Sequence, residues 1–297
     1  MEPCLAVLGS PSILAQEDQK KDRFMSRIVL EEAIRRMTVE GWCVLDSVIP
    51  PDEVKGVRDA VLKIAQLGPD ADKPRIGIGG LVAKTQNFAP YVAEERLLGV
   101  ARARLGTPVR ISMTHGIVTR PGYGRANWHG DWPFSLRQDQ SVLHPYPSDV
   151  PMHITTLWAL TEFSSATGGT AIVPGSHRFG NNPSGDNGYD ENVAAPSELQ
   201  PCLEPGDVLM IDSRIWHTNG DNISNQTRVG MAVRYAPWWF NIHVLTAGLS
   251  QYERTMAERG QRGDDVIPIT PEQYEALPEQ AKPLFRHIVI GQKVKPV

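Results

Sequence analysis

The spacing of apolar residues divides the chain into two regimes that meet near Gly106. Before that point the apolar positions recur with a helical period. Phe24, Ile28, Ala33, Ile34 and Met37 sit among charges and predict a helix from about Asp18 to Met37, with Gly41 as its stop and a loose arm over 1–16. Trp42-Cys-Val-Leu-Asp46 predicts a short strand. Pro50-Pro51-Asp52 opens a second helix whose stripe is Val54, Val57, Val61 and Ile64, ended by Gly68. Residues 69–91 give no clear element, and a third helix is predicted over about 92–105.

Beyond Gly106 the period falls to two. Val109, Ile111 and Met113 alternate with Arg110, Ser112 and Thr114, which predicts a half-buried strand. Pro121–Gly124 is a turn, and Arg125 to Pro133 reads as the next strand. The proline-rich stretch 132–150 predicts a loop over a site mouth. Further strands are predicted over Met152–Leu160, Thr170–Val173, Val208–Ile211 and Arg228–Tyr235, each bounded by Gly, Pro or Asn turns. Residues 180–198 are the least ordered by composition, and 248–297 return to helices and coil. The whole predicts one mainly β domain with flanking helices, a sandwich, jelly roll or barrel: a helical part over 1–106, a β core over 107–240 and a helical or coil part over 241–297.

Composition narrows the partners. An apolar share of 41% supplies a sizeable core, and a net charge of −4 with both signs interspersed gives no nucleic-acid footprint. The three cysteines, Cys4, Cys43 and Cys202, are odd in number and far apart, which predicts reduced thiols. No apolar run approaches the ~20 residues of a membrane span. The patch Cys4 to Gly9 is too short for a signal segment, and Lys295-Pro-Val is not a peroxisomal tail. A cytoplasmic protein acting on a small-molecule substrate is expected, without nucleic acid or membrane, and with a homodimer left open.

The candidate chemistry centres on Trp128-His129-Gly130-Asp131-Trp132. In an extended strand, His129 and Asp131 project to one face. They would supply two ligands of a 2-His-1-carboxylate facial triad, which leaves open positions on a non-haem Fe(II). Chance alone gives about 0.5 His-x-Asp per chain of this composition, so the pair needs context. His217, at a strand end before the Asn219-Gly220 turn, is the best third ligand. Arg228, Gly230, Ala232 and Arg234 share one face of the following strand. A guanidinium aimed into a barrel needs an anion, because an unpaired buried charge costs several kcal/mol. A dicarboxylate held bidentately would serve, with Arg228 the leading clamp and Arg234 its rival. Trp132 and Phe134 are candidate substrate contacts, as is His153, whose plain alternative is core packing. His177 reads as ordering its loop, and Gly77-x-Gly-Gly80 lacks the context of a phosphate loop.

Taken in order, Trp128-His129-Gly130-Asp131, Gly168-Gly169-Thr170-Ala-Ile-Val-Pro174-Gly175-Ser176-His177, Pro205-Gly206-Asp207, His217 and Arg228 resemble the phytanoyl-CoA dioxygenase family of Fe(II)/2-oxoglutarate oxygenases, over roughly residues 30–290. The resemblance implies a double-stranded β-helix in which His129, Asp131 and His217 bind iron. It implies that Arg228 holds the distal carboxylate of 2-oxoglutarate, whose keto-acid end chelates the metal. It adds Thr170 and Asn219 as cosubstrate contacts, Asn219 standing where some members place a hydroxyl, with Thr218 as its alternative. The cosubstrate O2 would yield succinate, carbon dioxide and an oxidant that abstracts hydrogen from the substrate. Members often carry Gln between the first two ligands, where this chain has Gly130. The presence of Asp131 argues against the related halogenases.

No cluster of Lys and Arg awaits the phosphates of an acyl-CoA, so hydroxylation of a natural-product intermediate or similar metabolite is the expected activity. Desaturation, epoxidation, ring formation and epimerisation share its first step. A non-oxidative cupin-like metalloenzyme with Zn or Mn, or a catalytically silent ligand-binding barrel, are the rivals that Arg228 and the triad speak against.

Overall fold

The computed structural model describes residues 29–131, 150–179, 193–240, 248–259 and 266–291, with the single positions 183, 242 and 246. The expected loop over 132–150 and most of the stretch 180–198 lie outside the described residues.

A helix over 29–39 (α1) ends at Gly41 and leads into β1 (Trp42–Leu45). Helix α2 (Val54–Leu67) buries Val54, Val57 and Val61 of the expected stripe together with Ala65, while Ile64 is only partly buried at the edge of that face. Helix α3 (Glu95–Leu105) starts three residues later than the periodicity suggests. The reason is local: the Glu94 carboxylate accepts the Leu97 N–H at 2.9 Å and caps the helix there.

The strands β2 (Arg75–Gly79), β3 (Val109–Thr119), β4 (Ile154–Ala159), β6 (Val208–Asp212) and β8 (Arg228–Pro237) join β1 in one antiparallel sheet, ordered β1-β6-β4-β8-β3-β2. The two short strands β5 (Thr170–Ile172) and β7 (His217–Asn219) pair in a second sheet. Single bridges widen that sheet, Leu199 to Ile172 on one side and His129 to His217 on the other. C-terminal to it come α4 (Ser250–Arg259), α5 (Pro271–Glu275) and α6 (Lys282–Phe285). This is the predicted architecture of antiparallel sheets with helices outside them.

The central strand β8 is buried along its whole length because its two faces meet different layers. Val229, Met231, Val233 and Tyr235 pack with α2, α3 and the C-terminal helices in the larger core. The Tyr235 hydroxyl donates to the Val92 carbonyl at 2.8 Å and ties the strand to the entry of α3. Ala232 packs on the opposite face, in an inner cluster with Leu157, Leu209, Ile211 and Ile172 of the second sheet. Each leucine or isoleucine side chain taken fully from water contributes about 1.5–3 kcal/mol. The inner cluster is small, and the space beside it becomes a cavity.

Two expectations need correction. Residues 69–91 do contain an element, the strand β2, which pairs along β3 from Arg75–Thr119 to Gly79–His115. Its two glycines, Gly77 and Gly79, leave only Ile76 and Ile78 to carry the alternation. Strand β3 also does not keep one parity. Ile111 pairs with Tyr235 but Met113 with Arg234, so Ser112 is an extra residue and the strand bulges. Ile111 therefore faces the helices, while Met113 joins the inner cluster and lines the cavity with His115 and Ile117.

Candidate active site

The stretch 125–131 forms no regular strand. It runs beside β7, where the Ala126 N–H donates to the Asn219 carbonyl at 3.1 Å, the His129 N–H donates to the His217 carbonyl at 3.0 Å and the His217 N–H returns to His129 at 2.9 Å. That reciprocal pair holds the two imidazoles side by side, ring centroids 4.3 Å apart. The Nδ1 of His129 lies 3.0 Å from the Asn127 carbonyl, and the Nδ1 of His217 lies 3.0 Å from the Ile215 carbonyl. A carbonyl only accepts, so each Nδ1 carries the proton and each Nε2 turns its lone pair inward. The inward atoms meet Asp131. His129 Nε2 is 3.8 Å from Oδ1, and His217 Nε2 is 3.8 Å from Oδ2.

One donor atom from each of these three residues lies within 4.8 Å of the others, so the three expected ligands converge. Two neutral imidazole nitrogens and one carboxylate oxygen, gathered at the wall of a cavity, fit a divalent transition metal with sites to spare. The electrostatics agree. Burial, and then the neighbouring His129, lower His217 to about 4, so it is an unprotonated donor at neutral pH. Burial alone would raise the Asp131 carboxyl. Arg234, His217, His129 and the Thr155 hydroxyl outweigh that and hold it below the usual carboxylate range.

The triad opens onto a cavity of about 180 Å³ that also meets Thr170, Asn219 and Leu157. A narrower cleft continues from it, sharing Ile117, Leu157, Thr170 and Asn219, and ends on Arg228. Arg228 is 3% exposed. Its Nη1 donates to the Gly168 carbonyl, its Nη2 lies 3.2 Å from Thr119 Oγ1, and its guanidinium stands 4.8 Å from the centre of the Phe163 ring. None of these partners is anionic. Burial, and then the nearby Arg75, lower it to about 10.

Two glycines make this end possible. Gly168 has φ +74°, and a Cβ there would sit 2.6 Å from the Gly220 carbonyl. A Cβ on Gly230 would lie 2.6 Å from the Phe163 ring that backs Arg228.

Arg234, the rival clamp, already has a carboxylate, its Nη2 lying 2.6 Å from Asp131 Oδ1. Thr170 and Asn219 stand opposite each other on β5 and β7 and line both parts of the cavity. Thr218 turns its hydroxyl to the Ala126 carbonyl instead.

Among the remaining candidates, Trp132 and Phe134 lie outside the described residues. His153 is buried with Nε2 2.5 Å from Ser112 Oγ, and it is not among the residues lining the cavity. His177 packs against Gly41, whose φ of +83° and missing Cβ make room for the ring, and it is not part of the metal-ligating cluster. Three polar lining residues were not anticipated: Arg75, His115 and Thr155. Arg75 opens a strand with too few apolar residues to show itself, and His115 lies beyond the bulge that reverses β3. Thr155, by contrast, alternates with Leu157 in a strand that was expected, and the inward parity of that strand would have exposed it.

This combination of antiparallel sheets and an inward His-x-Asp…His cluster defines a class, the non-haem iron oxygenases of the double-stranded β-helix fold. The chain belongs to the phytanoyl-CoA dioxygenase (PhyH) family, whose model matches residues 37–230, and so to the 2-oxoglutarate-dependent non-haem iron dioxygenases. It is 29% identical over 128 residues to dioxygenase af480 of Aspergillus fumigatus, covering 43% of this chain and 37% of that protein. The chain thus matches well under half the length of that relative. It is 27% identical over 227 residues to the ectoine dioxygenase of Streptomyces anulatus, covering 64% of this chain and 72% of that one. The fold matches that of the epimerase SnoN, crystallised with Fe3+, alpha ketoglutarate and nogalamycin RO, at a TM-score of 0.56 and 17% identity, over 71% of this chain and 84% of the other. No helix among the described residues is long and apolar enough to cross a membrane.

Proposed function

We propose that this protein uses Fe(II), 2-oxoglutarate and O2 to hydroxylate a small organic metabolite, a natural-product intermediate, releasing succinate and carbon dioxide. The observation that carries the reading is the pairing of two features in adjoining cavities that share four lining residues: three inward metal donors in one, and in the other a buried arginine with no anionic partner among the described residues. Iron, when bound with 2-oxoglutarate and O2, supplies the oxidising equivalent that this class directs at a C–H bond.

The chain's own residues do the rest. His129, Asp131 and His217 hold the metal on one face. Arg228 pairs with the distal carboxylate of the cosubstrate in a site closed to water, where a guanidinium fork orients as well as binds. Asn219 lies two residues beyond His217 on β7, roughly 7 Å further along the strand, which is the scale of a short dicarboxylate. Thr170 and Asn219 therefore flank the stem of the cosubstrate. Ile117 and Leu157 wall it with apolar surface and exclude water.

Arg228 also weighs against a non-oxidative cupin-like enzyme with Zn or Mn, which has no use for a buried cation at the floor of its cavity. The names of the relatives support the substrate class: SnoN acts in nogalamycin biosynthesis. Succinate release in the presence of Fe(II), 2-oxoglutarate and O2, screened over a panel of secondary metabolites and compatible solutes, tests the proposal. Anaerobic Fe(II) with 2-oxoglutarate should give a weak visible charge-transfer band. Its absence in metal-loaded protein would return the site to the cupin-like or silent readings.

A further inference from the structure

Asp131 is the least supported of the three ligands by its backbone. His129 and His217 are fastened by their reciprocal bridge, whereas Asp131 stands in a bend outside any ladder. Its side chain is held instead, and by two residues that face each other. In the β4–β8 ladder Thr155 is directly opposite Arg234, and both project to the inner face. Arg234 Nη2 lies 2.6 Å from Asp131 Oδ1, and the Thr155 hydroxyl donates to Oδ2 at 2.7 Å.

We infer that Thr155 and Arg234 act together as the positioning device for the carboxylate ligand. They fix its plane and keep it from swinging round to chelate with both oxygens, and Arg234 has no part in anchoring the cosubstrate. The inference rests on the reading of the triad as a metal site.

The physical argument is one of occupied acceptors. A carboxylate that already accepts one charge-assisted and one hydroxyl hydrogen bond, from groups on two rigid strands, has little freedom to rotate. A ligand held to one coordinating oxygen leaves the remaining metal positions to cosubstrate and oxygen, as the facial triad requires. The network also reaches a second ligand. Thr155 Oγ1 is 2.8 Å from Ser213 Oγ, and Ser213 belongs to the turn whose Ile215 carbonyl orients His217. Asp212 closes that turn, accepting the Ile215 N–H at 2.8 Å through its carbonyl. Asp131 and His217 are thereby set by one connected piece of β4, β6 and β8.

The test uses the full chain with Co(II) as probe, and measures Co(II) affinity, the Co(II) visible spectrum and 2-oxoglutarate affinity at saturating metal. Arg234→Met should weaken Co(II) binding about 10–100-fold, as loss of a group orienting a ligand does, and alter the Co(II) spectrum. Affinity for 2-oxoglutarate in the loaded protein should stay within about threefold. Arg234→Lys should restore part of the loss. Thr155→Val should weaken Co(II) in the same direction, with Thr155→Ser close to wild type, and this pair decides the matter if Arg234→Met does not fold. Unchanged Co(II) affinity and spectrum in these variants would overturn the inference. So would normal Co(II) binding with a large loss of 2-oxoglutarate affinity, which would make Arg234 the clamp. Failure of the wild-type protein to bind Co(II) at all would instead sink the proposed function.

Discussion

At the outer end of the cavity a carboxylate is surrounded by partners, and at the inner end a guanidinium meets no anionic group among the described residues. Asp131 has Arg234, Thr155 and two imidazoles about it. Arg228, six residues before Arg234 on the same face of β8, meets a carbonyl, a hydroxyl and the face of a phenyl ring. From the sequence the two arginines share one face of the strand, with Arg228 the leading clamp and Arg234 its rival. In the structure Arg234 is matched by Asp131, while the described partners of Arg228 are all neutral. A buried charge that the fold has neutralised is part of the framework; one that it has left positive is a place for a ligand.

The largest effect is expected at the outer end. His217→Ala removes a metal donor and the ring beside that of His129, while the backbone bridge between the two positions remains. Turnover should fall below about one-thousandth of wild type, equivalent to about 4 kcal/mol in the barrier. Equilibrium dialysis with Fe(II) should show the metal lost, and retained activity would refute the ligand assignment.

The same histidine gives the metal-free protein a pH signature. His217 sits at about 4 in the folded chain against an ordinary 6.5. Between these values the unfolded chain binds a proton that the native state refuses. Stability should therefore be full above pH 6.5 and fall as pH drops toward 4, by at most about 3 kcal/mol. Asp131, also depressed, continues the loss at lower pH. Urea denaturation of metal-free protein across this window reads the slope. A flat profile would show that the imidazole is hydrated and the outer end more open than the structure has it.

How much of this was legible in the sequence depends on how local each feature is. The stripe of α2 and the two faces of β8 follow from period alone, because one layer covers each face along its whole length. His129 and Asp131 could be paired because they stand two positions apart with only Gly130 between them, and the choice of His217 needed only a strand end. Register is what the pattern could not supply. The extra residue at Ser112 turns Met113 and His115 inward against the parity of Val109 and Ile111, and nothing in the composition marks it. The glycines of β2 hid the strand that delivers Arg75. The sequence favoured Arg228 as the clamp but could not say what Arg234 does instead, since that depends on which of them comes to lie opposite Thr155.

At the inner end the comparison predicts a variant that harms function and spares the fold. Arg228→Lys replaces a planar fork by a point charge and should raise the KM for 2-oxoglutarate roughly 30–150-fold, or about 2–3 kcal/mol. Arg228→Met should do at least as much. Because it removes a buried charge with no anionic partner among the described residues, it should leave the stability of the metal-free protein within about 1 kcal/mol of wild type. Steady-state kinetics and thermal melts of the same samples separate the two quantities. A strongly destabilised Arg228→Met with an ordinary KM would make Arg228 a structural residue and leave the cosubstrate without a clamp.

The smallest effects are expected between the two ends, at Thr170 and Asn219. Each offers a neutral hydrogen bond, so Thr170→Val or Asn219→Ala should each cost about 1 kcal/mol, near fivefold in the KM for 2-oxoglutarate. The informative quantity is their coupling. The two side chains are opposite partners in the β5–β7 pair and line the same narrow part of the cavity. If both contact one bound molecule, the double variant should lose less than the product of the single losses, because the first substitution already loosens the molecule against the second. If the losses multiply, the two act on separate groups, and the cosubstrate does not pass between them on its way from the histidines to Arg228.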